Sequence, residues 1–190
     1  KAEIEEAHKL DPLSPIITAN HGLYSYYEHK YDDAIAIYKQ GLKADPDFWV
    51  ARHYLALAYA QKGMYNEAIA ELRALIKAPP TGPIPDKVIE TAMEASSSLG
   101  FVYGMAGKTA EARDILSKLQ ALSQRRYISG IYFAIIYAGL KDNERAIHFL
   151  NEAFQSRQPG LVLIRIDPTF EGLRSDPKFQ ELTRRFEPIP

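Results

Sequence analysis

The chain has 190 residues, of which 46% are hydrophobic and 25% charged, a composition typical of a globular protein that can bury a core. Twenty-three basic and twenty-four acidic residues leave a formal charge of -1, so no overall field draws the chain toward nucleic acid or an anionic membrane. Cysteine is absent, which excludes disulfides, thiolate catalysis and cysteine-ligated zinc. No run approaches the roughly eighteen apolar residues of a membrane span, so membrane insertion is not expected.

A fixed period organises most of the sequence. Four alanines mark it at successive spacings of 34, 44 and 34 residues: Ala34, Ala68, Ala112 and Ala146. The ten additional residues of the middle spacing fit the stretch from Ala78 to Lys87, which contains four prolines and one glycine and reads as a loop because proline cannot continue a helix. Such a period predicts a repeated supersecondary unit.

Each unit has the pattern of two antiparallel helices. In the unit that begins near Trp49, one apolar stripe ends at Gly63 and a second stripe begins at Ala68, so Gly63 is expected to make the turn. The alanine early in each second helix allows the two helix axes to approach closely. Lys141 stands where the last unit would carry its turn glycine.

The predicted segments follow in chain order within a single solenoid domain, 1–190. The chain opens at Lys1 on a second-helix pattern without a signal-like stretch, so we expect an excised piece of a longer protein and a cytoplasmic location. The boundaries are the end of a truncated repeat at 1–14, repeats at 15–48, 49–80, 87–124 and 125–158, and a C-terminal cap at 159–190. The cap is predicted because Asp167-Pro168 recurs as Asp176-Pro177, each opening a short helix.

The repeat resembles the tetratricopeptide repeat family over roughly Lys1 to Gln158. The second full unit matches the family pattern best, through Leu55, Tyr59, Gly63, Tyr65, Ala68 and Leu72. The cap is similar to the closing segment of repeat arrays in bacterial regulatory or signalling proteins. The resemblance implies an all-α superhelix, a scaffold that binds a partner protein or peptide, and a concave groove lined by the first helix of each hairpin.

The register of the repeats then selects the groove residues. They are Asn20, Leu23, Tyr26, Tyr27, His53, Tyr54, Leu57, Ser97, Phe101, Ile131, Tyr132 and Ile135. This apolar and aromatic lining suits an amphipathic helix or an extended apolar peptide. Family members that grip acidic chaperone tails place lysine and arginine in this register. Here the register holds mostly apolar side chains, which argues against such a clamp.

No arrangement of residues indicates catalysis. The five histidines lack a second ligand at zinc-site spacing, and no nucleophile stands with a base and an orienting group. We therefore predict no enzyme activity and no catalytic, cofactor-binding or metal-binding residues. The paired arginines at 125–126 and 184–185 read as solvated surface, so nucleic-acid binding is not expected.

Three readings of the apolar lining remain open. The groove can bind a partner, much of it can be core or be covered by the C-terminal tail, or it can hold a small apolar ligand. The corresponding alternatives to a scaffold are an oligomerisation segment, with self-association, or a ligand-sensing segment of a larger bacterial regulator. The sequence does not identify a partner.

Overall fold

The computed structural model describes residues 3, 6, 10, 11, 14–77, 86–158 and 161–186, with the backbone alone at 86–89. These residues form α-helices and short 3₁₀ segments and contain no strand, which confirms the all-α fold class. Most of the truncated repeat expected at 1–14, and the proline-rich stretch 78–85, lie outside the described residues. Helices end at Ile76 and begin at Asp86 on either side of that stretch.

Nine α-helices have described bounds, and residues 3, 6 and 10 are also helical. The nine helices are α1 Pro15–Tyr27, α2 Tyr31–Ala44, α3 Trp49–Gln61, α4 Tyr65–Ile76, α5 Asp86–Met105, α6 Thr109–Ser123, α7 Gly130–Gly139, α8 Asn143–Gln155 and α9 Pro177–Arg184. Two 3₁₀ segments, Leu161–Leu163 and Pro168–Leu173, separate α8 from α9. The chain forms two compact units, Lys1–Ala95 and Ser96–Pro190.

The first unit stacks the hairpin α1–α2 against the hairpin α3–α4, with α3 packed on both α1 and α2. Tyr38 of α2 lies fully buried at this junction, and its hydroxyl donates to the carbonyl oxygen of Ala19 at 3.4 Å. Burial raises the pKa of Tyr38 above its ordinary value, with a further contribution from Tyr27. A side chain at Gly22 would collide with the Tyr38 ring, so α1 can approach α2 only because residue 22 is glycine.

The four hairpin turns share one backbone geometry. One residue in each has a positive φ, 59° at His29, 74° at Gly63 and Gly107, and 59° at Lys141. The next residue donates its backbone N–H to the carbonyl five positions earlier, as Met64 does to Tyr59 and Asp142 does to Tyr137. This is the Schellman arrangement that ends many helices. The turn predicted at Gly63 is therefore confirmed, and Lys141 adopts the same conformation without glycine.

The predicted position of an alanine early in each second helix is also confirmed. All four repeat alanines have no exposed surface: Ala34, Ala68, Ala112 and Ala146. Each donates its N–H to the carbonyl of the residue four positions earlier, at the helix start. The second helix therefore lies against its neighbours at its first turn, where a larger side chain would find no space.

The second unit contains α6, the hairpin α7–α8, the C-terminal half of α5, and the cap. Side chains at Gly104 or Gly139 would strike the backbone of the other helix, so α5 and α7 meet there at close range. The cap forms as predicted, because Asp167 and Asp176 each accept the N–H two residues later and start a helix whose first residue is proline.

We expect overpacking at the buried alanine contact to destabilise the chain. Ala112→Leu should lower the free energy of unfolding by ~1–3 kcal/mol, because three further heavy atoms have no space between packed helices. The neighbouring exposed Glu111→Ala should change it by less than about 0.5 kcal/mol. Urea unfolding followed by circular dichroism measures both variants, and equal midpoints would contradict the helix register.

The shared turn geometry gives a second stability prediction. Gly63→Ala should cost ~1 kcal/mol or more from backbone strain alone, since a Cβ there meets no atom within 4 Å. Lys141→Gly should instead stabilise by up to ~1 kcal/mol. Gly172→Ala is the matched control, because its Cβ also meets nothing and its φ is not positive. Equal effects of Gly63→Ala and Gly172→Ala would refute the strain argument.

Candidate functional site

In the first unit, four of the predicted groove residues are accessible, and they lie on α1 and α3. Asn20 is exposed, and Leu23, Tyr27 and Tyr54 are partly exposed. Asn20, Leu23 and Tyr27 stand at i, i+3 and i+7 on α1, so helical periodicity places them on one side. We call these four residues the first-helix face.

An aromatic cluster supports this face. The Tyr26 ring is fully buried and lies 5.5 Å from the Tyr27 ring and 5.8 Å from the Tyr54 ring, both edge-on. Tyr54 also stacks on Tyr38 at 6.1 Å and contacts His53 at 5.2 Å. The two accessible tyrosines are thus held by rings beneath them, which limits their rotamer freedom before any partner binds.

Three predicted groove residues of the first unit belong to the interior. Tyr26, His53 and Leu57 are each less than a tenth exposed, so in this conformation a partner does not reach them. His53 Nδ1 lies 3.5 Å from Glu94 Oε1, and its ring stacks with Trp49 at 6.4 Å. The sequence predicts that these three groove residues contact a partner, but neighbouring helices cover them. They therefore support the accessible residues instead of contacting a partner.

The predicted groove residues of the second unit also include both accessible and buried side chains. Ile131, Tyr132 and Ile135 of α7 are partly exposed. Ser97 is fully buried and Phe101 is 2% exposed, and the backbone of Phe101 lies where a Cβ on Gly139 would stand. Phe101 is therefore revised from an accessible anchor to a core residue, since the close approach of α5 and α7 covers it.

Charge is distributed unevenly between first and second helices. α1 and α7 contain no acidic residue, lysine or arginine, and α3 contains only Arg52. Arg52 is paired with Glu71 at 2.7 Å and also donates to the carbonyl of Pro46. Of the eight charged side chains on α1 to α4, seven lie on the second helices α2 and α4. The first-helix face is therefore uncharged.

No group of three or more histidine, aspartate or glutamate side chains in the described residues is arranged to hold a metal ion. None of the helices described is both long and apolar enough to cross a bilayer.

A separate cleft in the second unit was missed by the sequence analysis. It lies between α6 and the turn that joins α7 to α8, with a volume of about 290 Å³, and Arg113 and Arg145 are among its lining residues. Both arginines adjoin a repeat alanine in sequence, but that position does not reveal that both line one cleft.

The burial pattern predicts how the aromatic residues contribute to stability. Phe101→Ala should lower the free energy of unfolding by ~3–5 kcal/mol because it leaves a cavity in the core. Tyr127→Ala removes a ring that is 63% exposed and should cost less than about 1 kcal/mol. Chemical unfolding of the two variants compares them directly, and a similar small loss for both would contradict the interior position of Phe101.

A tetratricopeptide repeat family model matches residues 26–83. That segment includes α2, α3 and α4 and the whole of the predicted repeat 49–80. No curated protein matches the chain. Repeats of this family generally mediate protein–protein interaction, and the fold is typically a non-catalytic scaffold. The family match, together with the helical hairpins and their common turn, supports the assignment of segment 26–83 to the tetratricopeptide repeat family.

Proposed function

We propose that this protein is an interaction scaffold whose first-helix face binds the apolar side of a partner helix or extended peptide. The observation that carries the proposal is the uncharged, tyrosine-rich character of that face on helices that are almost free of charge. Leu23, Tyr27 and Tyr54 supply apolar contact area, and Asn20 supplies an amide at its edge.

The buried rings beneath the first-helix face favour its use as a binding surface. A tyrosine that is already packed against other rings loses little side-chain entropy when a partner covers it. Tyrosine is also enriched among the residues that dominate binding energy at protein interfaces, where its ring is buried and its hydroxyl keeps a polar partner. Tyr27 and Tyr54 fit this role because both remain partly exposed over the buried Tyr26 ring.

The apolar residues of α7 extend the proposal to the second unit. Ile131 and Ile135 are four residues apart and therefore share one side of the helix, with Tyr132 beside them. These side chains suit the same class of partner.

The test begins with a partner identified by affinity capture and then purified. We expect Tyr27→Ala and Leu23→Ala each to weaken binding by ~10-fold or more, the effect of losing an interface anchor of about 1.4 kcal/mol or more. Tyr65→Ala and Leu75→Ala are matched controls, because these residues are also partly exposed but lie on α4. Isothermal titration calorimetry measures affinity, and thermal unfolding verifies that all four variants are folded.

Salt dependence provides an independent criterion. An uncharged face should bind with an affinity that changes by less than about threefold between 50 and 300 mM NaCl, since little Coulomb attraction is available to screen. Affinity that collapses with salt and survives both α1 substitutions would place the site on the charged second helices. Sedimentation velocity tests whether the chain self-associates. Self-association that Leu23→Ala abolishes would mean that the first-helix face binds a second copy of this chain.

A further inference from the structure

The cleft of the second unit has the composition of a site for a small anion. Its neutral hydroxyl and amide groups include those of Thr109, Ser117 and Gln120 on α6, and its apolar wall includes Leu116 and Leu140. The volume of about 290 Å³ is near the lower end of the roughly 300–1,000 Å³ found for small-molecule sites. The cleft therefore suits a ligand of a few heavy atoms rather than a folded partner.

Two guanidinium groups set the charge of this cleft. Arg145 lies over the Tyr137 ring at 5.6 Å, and its Nη1 is 3.3 Å from Asp142 Oδ2. No described residue forms an ion pair with Arg113. The lining thus carries two positive charges and one negative charge, and the excess is positive.

Asp142 does not neutralise the site for a ligand. Its Oδ1 accepts the backbone N–H of Arg145 at 3.2 Å, which fixes the carboxylate as the cap of α8. The Arg145 side chain is 64% exposed, so its pair with Asp142 is weak and leaves other guanidinium N–H groups available. Asp142 and the Tyr137 ring therefore orient Arg145 at the edge of the cleft.

We propose that this cleft binds a small carboxylate or phosphate compound between Arg113 and Arg145. Guanidinium groups recognise both kinds of oxyanion through paired, charge-assisted hydrogen bonds. The hydroxyls of Thr109 and Ser117 and the amide of Gln120 add neutral donors, while the aliphatic wall accepts a short hydrocarbon portion. This site is independent of the first-helix face, which lies in the other unit and contains no arginine.

Inorganic phosphate and succinate are the probes that separate the two ligand chemistries. Each is titrated into the ¹⁵N-labelled full chain at 20 mM NaCl while amide chemical shifts are recorded. We expect saturable shifts at the backbone amides of α6 and of the α7–α8 turn for at least one probe. A stronger response to succinate would assign a carboxylate ligand, and a stronger response to phosphate would assign a phosphorylated one.

Substitutions then establish that the cleft is the site. Arg113→Gln and Arg145→Gln should each weaken binding of the effective probe by ~10-fold, since each removes a charge-assisted contact. Ser117→Phe should reduce binding by filling the cleft, without a change in charge. Arg125→Gln is the matched control, because it removes an exposed arginine of the same unit that does not line the cleft.

Two results would overturn the proposal. One is the absence of saturable shifts with both probes in a chain that remains folded by its amide spectrum. The other is an equal loss of binding in Arg125→Gln and Arg113→Gln, which would mean that the anion responds to overall charge rather than to this cleft. Because the readout is local, neither result depends on whether the first-helix face binds a partner.

Discussion

The close contact of paired helices at a single alanine is the constraint on which the rest of the structure depends. Each of the four repeat alanines is fully buried at the first turn of a second helix. A methyl group there sets the distance between neighbouring helix axes, and the Schellman turn before it sets the direction of the second helix. Once both are fixed, the large side chains of the hairpin, such as Tyr38 and Leu72, have only one place to pack.

This construction leaves the first helices with a different chemical character from the second helices. The second helices α2 and α4 meet solvent along one side and carry seven of the eight charged side chains on α1 to α4. The first helices α1 and α7 carry none, so the surface they expose gains little from water and gains more from an apolar partner. The proposed function follows from that difference, and the cleft beside α6 follows from the charge on the second helices.

Stability and binding are coupled at the aromatic cluster. Tyr54 contacts Tyr26, Tyr38 and His53, so the same ring that is proposed to meet a partner also joins the two hairpins of the first unit. Removing it affects folding and binding together, whereas Leu23 and Tyr27 lie on α1 at the edge of the cluster. Substitutions of Leu23 and Tyr27 therefore separate effects on binding from effects on stability better than a substitution of Tyr54 does.

The sequence by itself determined the repeat, the helix class, the alanine register, the Gly63 turn and the aspartate-capped helices near the C-terminus, because each depends on local spacing or on one residue's backbone preference. It also predicts an apolar face on the first helices. Only the tertiary structure decided which of those apolar residues remain accessible. Phe101 and Leu57 share the pattern of Tyr27, yet neighbouring helices cover the first two, and burial depends on those neighbours rather than on periodicity. The presence of Arg113 and Arg145 in the lining of one cleft has the same origin, because it requires two helices to be brought together.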